Sequence, residues 1–248
     1  MRLCVCLCVL VLLSDLCNAQ FNFTPSFRYE YTTPSPVPFP TCRADNIDCL
    51  RRGLRTFFFL MDSGHLGMTP VDPMVVNSVA ISLPDQNLSI LMRRVNVTGA
   101  RWTRLVDRKF NLEGGRSGVR FSSDLHLTGE MNMKIHSDSR PHSGVFTMDI
   151  SNVESNITYP WSGERDANFN DYILIGKETI AVRNTRIPTF FMHQDASTDL
   201  DMTLTLSQQS VLDHLANEVT SAVMHSVMDN FRLFARKVPV KYYYGYFK

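Results

Sequence analysis

The stretch SVLDHLANEVTSAVMHSVMDNFRLFAR, residues 210–236, decides the fold. Leu212, Leu215, Val219, Val223, Val227, Phe231 and Phe234 recur every three or four residues, with Ala222 and Ala235 on the same stripe. That spacing predicts an amphipathic helix. Ser210 and Asp213 read as a capping-box-like start, and Val238-Pro239 as the stop. At about 1.5 Å per residue the helix is about 40 Å long, beyond the usual globular range. One face of such a rod needs an apolar partner over its whole length.

The residues upstream supply one. Val79, Ile81 and Leu83 alternate with small or polar residues. Leu125, Leu127, Met131, Met133 and Ile135 alternate with polar residues, as do Phe146, Met148 and Ile150, and Leu200, Met202, Leu204 and Leu206. Period-two alternation marks strands with one apolar face. Weaker strand patterns lie at 87–97, 100–112, 171–176 and 179–192, and Glu113–Gly118 reads as a turn. Apolar spacing from Ile47 through Leu50, Leu54, Phe57, Phe58 and Met61 predicts a second helix, capped by Asp45 and stopped at Gly64. The expected fold is α+β: a strongly curved antiparallel sheet around the long C-terminal helix, enclosing space that side chains need not fill.

The first residues read as an address. Arg2, the apolar run Leu3–Leu13 and Cys17-Asn18-Ala19 match a signal peptide over 1–19. The rival reading is a short signal anchor, although the apolar run falls well below the roughly 20 residues of a membrane span. Residues 20–41 carry Pro25, Pro34, Pro36, Pro38 and Pro40 and read as a stiff leader outside a domain that occupies 42–248. With the signal removed, Cys42 and Cys49 are the two cysteines left, and one local disulfide is expected. Closing a loop that short contributes about 2–3 kcal/mol. Asn22, Asn87, Asn96 and Asn156 head N-x-Ser/Thr sequons and are candidate glycosylation sites.

A formal charge of +1 gives no basic field, so nucleic acid is not an expected partner, and nothing after the signal predicts stable membrane insertion. No nucleophile elbow or zinc-protease motif is present, so neither a catalytic set nor a cofactor is expected. Asp195, Asp199 and Asp201 read as solvated surface rather than a calcium loop. His136 and His142 flank a polar loop without a third metal ligand, and His193, His214 and His225 carry no assigned role.

Several elements together resemble the insect takeout and juvenile-hormone-binding proteins. They are the pair Cys42 and Cys49, Leu66-Gly67-Met68-Thr69-Pro70-Val71-Asp72-Pro73, Asn96-Val97-Thr98-Gly99, Leu125-x-Leu-x-Gly129, and the long terminal helix before a Val-Pro step. The resemblance runs from Cys42 to the C-terminus. It implies a TULIP-like helix-in-sheet fold with a hydrophobic tunnel and an extracellular carrier of a small hydrophobic ligand, terpenoid, fatty-acid-like or juvenile-hormone-like, with roles in feeding, courtship or circadian physiology.

The expected tunnel wall is the helix stripe (Leu215, Val219, Val223, Val227, Phe231) and the strand faces (Leu125, Leu127, Met131, Met133, Met202, Leu204). Removing 300–400 Å² of ligand surface from water gives roughly 8–10 kcal/mol gross at about 25 cal/mol/Å². Ordering costs bring the expected affinity to micromolar or somewhat tighter. One alternative keeps the fold with a filled tunnel and makes the chain an extracellular signalling factor, whose partner would be a cell-surface receptor. A secreted lipid esterase is the other alternative.

Overall fold

A computed structural model describes residues 39–84, 87–111, 115–135, 141–193 and 208–245. The elements run in order α1 (Ile47–Asp62), β1 (Met74–Leu83), β2 (Leu88–Thr98), β3 (Arg104–Lys109), β4 (Gly115–Ile135), β5 (His142–Arg165), β6 (Asp171–Ile175), β7 (Thr179–Arg183), β8 (Thr189–His193) and α2 (Gln209–Lys237). All strands join one antiparallel sheet.

Two strands dominate it. β4 and β5 are 21 and 24 residues long and pair from Gly115↔Trp161 to Met133↔His142. The shorter strands lie end to end along their outer edges: β3 and then β2 beside β4; β6, β7 and β8 beside β5. β1 and β6 stand at opposite ends of the main strand path, yet both touch α2. The sheet is therefore curled into a half-barrel around the helix, as the amphipathic stripe requires.

Both helices start one position or more away from expectation. Asn46, not Asp45, caps α1, its side chain accepting from the backbone N of Cys49 at 3.0 Å. Asp45 instead pairs with Arg43. The left-handed Gly64 follows the end of α1, in accord with its expected role as a stop. Ser210 is not the N-cap: α2 begins at Gln209 after Gln208, and Asp213 Oδ1 accepts from Asn184.

The strand reading needs three further corrections. The expected turn at Glu113–Gly118 is strand from Gly115 onward. Residues 179–192 form two strands rather than one. Residues 151–165 continue β5, where Ser151 and Asn152 oppose the single Asp124 and the inward face changes from even to odd numbers, Ile150 to Val153. The strand expected at Leu200–Leu206 lies outside the described residues, as do Asp195, Asp199, Asp201 and His136.

Two of the quoted motifs meet at one turn. Buried Asp72 accepts with Oδ2 from the backbone N of Gly99 at 3.1 Å and of Arg101 at 3.0 Å, while Arg101 Nη2 returns a bond to Asp72 O. Asn230 of α2 grips the backbone of Thr69 in both directions, at 2.8 and 2.7 Å. Gly99 has φ +96° and a Cβ there would lie 2.3 Å from Asp124 O. Gly129 faces the β2 bulge, where a Cβ would lie 3.1 Å from the Val95 Cα.

Gly99→Ala combines a left-handed backbone penalty with a collision against backbone. It is expected to cost about 2–4 kcal/mol in urea unfolding. A loss under about 0.5 kcal/mol would mean that the turn tolerates a side chain.

Candidate functional site

The helix α1 reaches the site through its start. Cys42 and Cys49 are joined, with Cα atoms 5.5 Å apart. The entering chain is in turn paired with the C-terminal segment, Cys42 N donating to Tyr243 O at 3.2 Å and Gly245 N to Cys42 O at 2.7 Å. Leu50, Leu54 and Phe57 then recur on one face of α1. That face closes over the sheet end made by β3, β6 and the β4–β5 pair.

A cavity of about 160 Å³ lies beneath it. Its floor is Leu105, Val119, Phe121, Ile173 and Ile175 from the sheet, and its far wall is Val227, Met228, Phe231 and Phe234 from α2. Aromatic rings form much of the lining. Phe57 meets Phe231 and Phe234 edge-on, each at 5.6 Å between centroids, and Phe234 also meets Phe39 at 5.0 Å and Tyr243 at 5.3 Å. Phe39 and Pro40, assigned to an external leader by their proline spacing, are part of this wall. Proline spacing reports backbone stiffness and carries no information on what the ring between the prolines packs against.

One corner is polar. Arg108 donates to Tyr244 Oη, and Tyr159 also lines the space. Burial pushes the Tyr159 hydroxyl up to about 12, opposed by the positive charge of Arg108. Burial likewise raises Tyr244, again opposed by Arg108.

Of the expected wall, Val227 and Phe231 line this cavity. Leu125, Leu127, Met131, Met133, Leu215, Val219 and Val223 are all inward and buried in the same core, but they are not among the residues that line it. Met202 and Leu204 lie outside the described residues. Periodicity had marked which faces turn inward; it could not mark where two inward faces fail to touch. Tyr159 was discoverable from the alternation Val153, Ser155, Ile157, Tyr159, all buried. Arg108, amid Leu105-Val106-Asp107, has no comparable signal.

Among the sequons, Asn87 is exposed in the β1–β2 turn, Asn156 is exposed on β5 and Asn96 is half-buried on β2; Asn22 is outside the described residues. Among the described residues no group of three His, Cys, Asp or Glu is placed to hold a metal, and no helix is long and apolar enough to cross a membrane. His225, given no role by sequence, lies with Nδ1 2.5 Å from Glu178 Oε1 and helps fasten α2 to the β6–β7 connection.

Comparison with solved structures places the fold. The crystal structure of Epiphyas postvittana Takeout 1 superposes with a TM-score of 0.70 at 16% identity, over 84% of this chain and 100% of that one. The crystal structure of lipopolysaccharide binding protein gives a TM-score of 0.39 at 12% identity, over 75% of this chain and 38% of that one. A search of curated protein sequences gives no match. The family model for haemolymph juvenile hormone binding protein (JHBP) matches residues 8–244, and with that span, Asp72 meeting Gly99 and its helix inside a curled sheet, the chain belongs to the JHBP family.

Proposed function

We propose that this protein is a secreted carrier that takes a small lipophilic molecule, terpenoid or fatty-acid-like, into the cavity between α1, α2 and the end of the sheet. The observation that carries the reading is the cavity itself: an aromatic-lined space inside a well-packed domain. Close packing is the rule in protein interiors, and apolar voids that persist stay dry and accept apolar guests. Family membership agrees with it. The signal-like residues 1–19 and the exposed Asn87 and Asn156 support an extracellular setting. A role in feeding, courtship or circadian physiology rests on the family resemblance alone.

The space is smaller than the roughly 300–1,000 Å³ of common ligand pockets. A slender chain suits it, and a wider ligand requires the Phe57, Phe231 and Phe234 rings to turn outward. Leu125, Leu127, Met131, Met133, Leu215, Val219 and Val223 then act as the rigid backing of the site, with Val227 and Phe231 as contact residues.

The test is saturable binding of the apolar fluorophore N-phenyl-1-naphthylamine. The wild type is expected to bind it at micromolar concentration. Val227→Phe, which fills the space, is expected to weaken binding about tenfold or more, with a melting temperature within a few degrees of wild type. Equal binding by both proteins, or none by the wild type, would overturn the proposal.

A further inference from the structure

The cavity is apolar except at the corner held by Arg108, and that corner is positively charged. Arg108 is half-buried, with its guanidinium 4.9 Å from the Phe110 ring centroid and 5.1 Å from that of Tyr244. Its Nη2 donates to Tyr244 Oη and its Nη1 to Ala44 O at 3.3 Å. Every one of these partners is neutral. Among the described residues no Asp or Glu forms an ion pair with it: the neighbouring Asp107 pairs with Arg120 at 3.7 Å, and Asp45 pairs with Arg43. Tyr159 is buried on the same cavity wall, and among the described residues nothing hydrogen-bonds its hydroxyl. A partly desolvated cation with neutral neighbours and an unengaged phenol beside it is an electrostatic deficit, which an anion inside the cavity would complete.

We propose that Arg108, with the hydroxyls of Tyr159 and Tyr244, forms a recognition corner for a carboxylate, so that the preferred guest is an apolar chain ending in an acid. This rests on the carrier reading and adds the polar end of its ligand. The planar guanidinium presents paired N–H donors that match the two carboxylate oxygens, while α1, α2 and the sheet floor take the hydrocarbon. The bland alternative is that Arg108 only packs its stem and tethers Tyr244. The two differ in ligand selectivity: a tether treats acid and alcohol alike.

Displacement of the same fluorophore by dodecanoic acid and by dodecan-1-ol at pH 7.5 separates them. The wild type is expected to prefer the acid by about tenfold or more, the scale of a charge-assisted hydrogen bond. Arg108→Gln is expected to bring the ratio near one by losing affinity for the acid. Arg108→Lys keeps the charge but loses the fork and should fall between. If Arg108→Gln does not fold, Tyr159→Phe carries the comparison and should lower acid preference alone. Equal affinity of the wild type for acid and alcohol overturns this inference while the carrier reading stands. No displacement by either ligand and no fluorophore binding overturns both.

Discussion

Val223→Arg is expected to abolish the cooperative thermal transition of the domain. Val223 is fully buried, one turn from Val219 and one from Val227 on the inward stripe of α2. It packs in the core and is not among the residues that line the cavity, so a guanidinium there has neither space nor solvent nearby. An ion left unpaired in such a place costs several kcal/mol even after relaxation. Total stabilities of about 5–15 kcal/mol leave little margin for that. Glu218→Arg, on the exposed face of the same helix, should stay within about 0.5 kcal/mol of wild type. Circular dichroism during heating reads both. A Val223→Arg protein melting within a few degrees of wild type would mean that α2 is not enclosed by the sheet.

The second large effect belongs to Glu178. Its side chain is 6% exposed and binds His225 Nδ1 and the Arg232 guanidinium, both from α2. Arg232 also donates to Ile175 O and Gly176 O, each at 3.1 Å. The cluster locks the long helix to the β6–β7 connection. Glu178→Ala removes the buried anion and leaves Arg232 with the exposed Asp229 as its ion partner, which should cost about 3–5 kcal/mol.

Acid should erase much of that difference. Burial pushes the Glu178 carboxyl up, but hydrogen bonds from His225, its own backbone and Arg232 outweigh it and hold the group below its ordinary 4.5. A carboxyl lowered in the folded state contributes stability above its unfolded value and loses it as pH falls through the folded one. The gap in urea unfolding free energy between wild type and Glu178→Ala should therefore be widest near pH 7 and narrow below about pH 4.5. Asp62, raised by burial, acts with the opposite sign but is present in both proteins and cancels in the difference. A gap that holds constant with pH would place the role of Glu178 in packing rather than charge.

The architecture was legible because its signals are periodic. Leu215, Val219, Val223 and Val227 are buried along α2, and Leu125, Leu127, Phe146, Met148 and Ile150 point inward from the two long strands. Where periodicity broke, the reading broke with it. The bulge opposite Asp124 shifts the phase of β5 and hid the strand carrying Tyr159. Asp45 and Asn46 are both able caps; Asn46 takes the role while Asp45 pairs with Arg43. The position of the cavity at one end of the barrel was not legible for a different reason. Its boundary is set by the height at which α1 sits over the sheet, a tertiary quantity fixed by the Cys42–Cys49 link and by Tyr243, more than 190 residues away in the chain.

That link between Cys42 and the segment at Tyr243–Gly245 also matters at the bench. Phe39 and Tyr244, from the two paired segments, both line the cavity. A bulky group attached at Gly245 would thus stand beside the cavity that its neighbour Tyr244 lines. Fusions are better grafted into the β1–β2 turn, at the opposite end of the barrel.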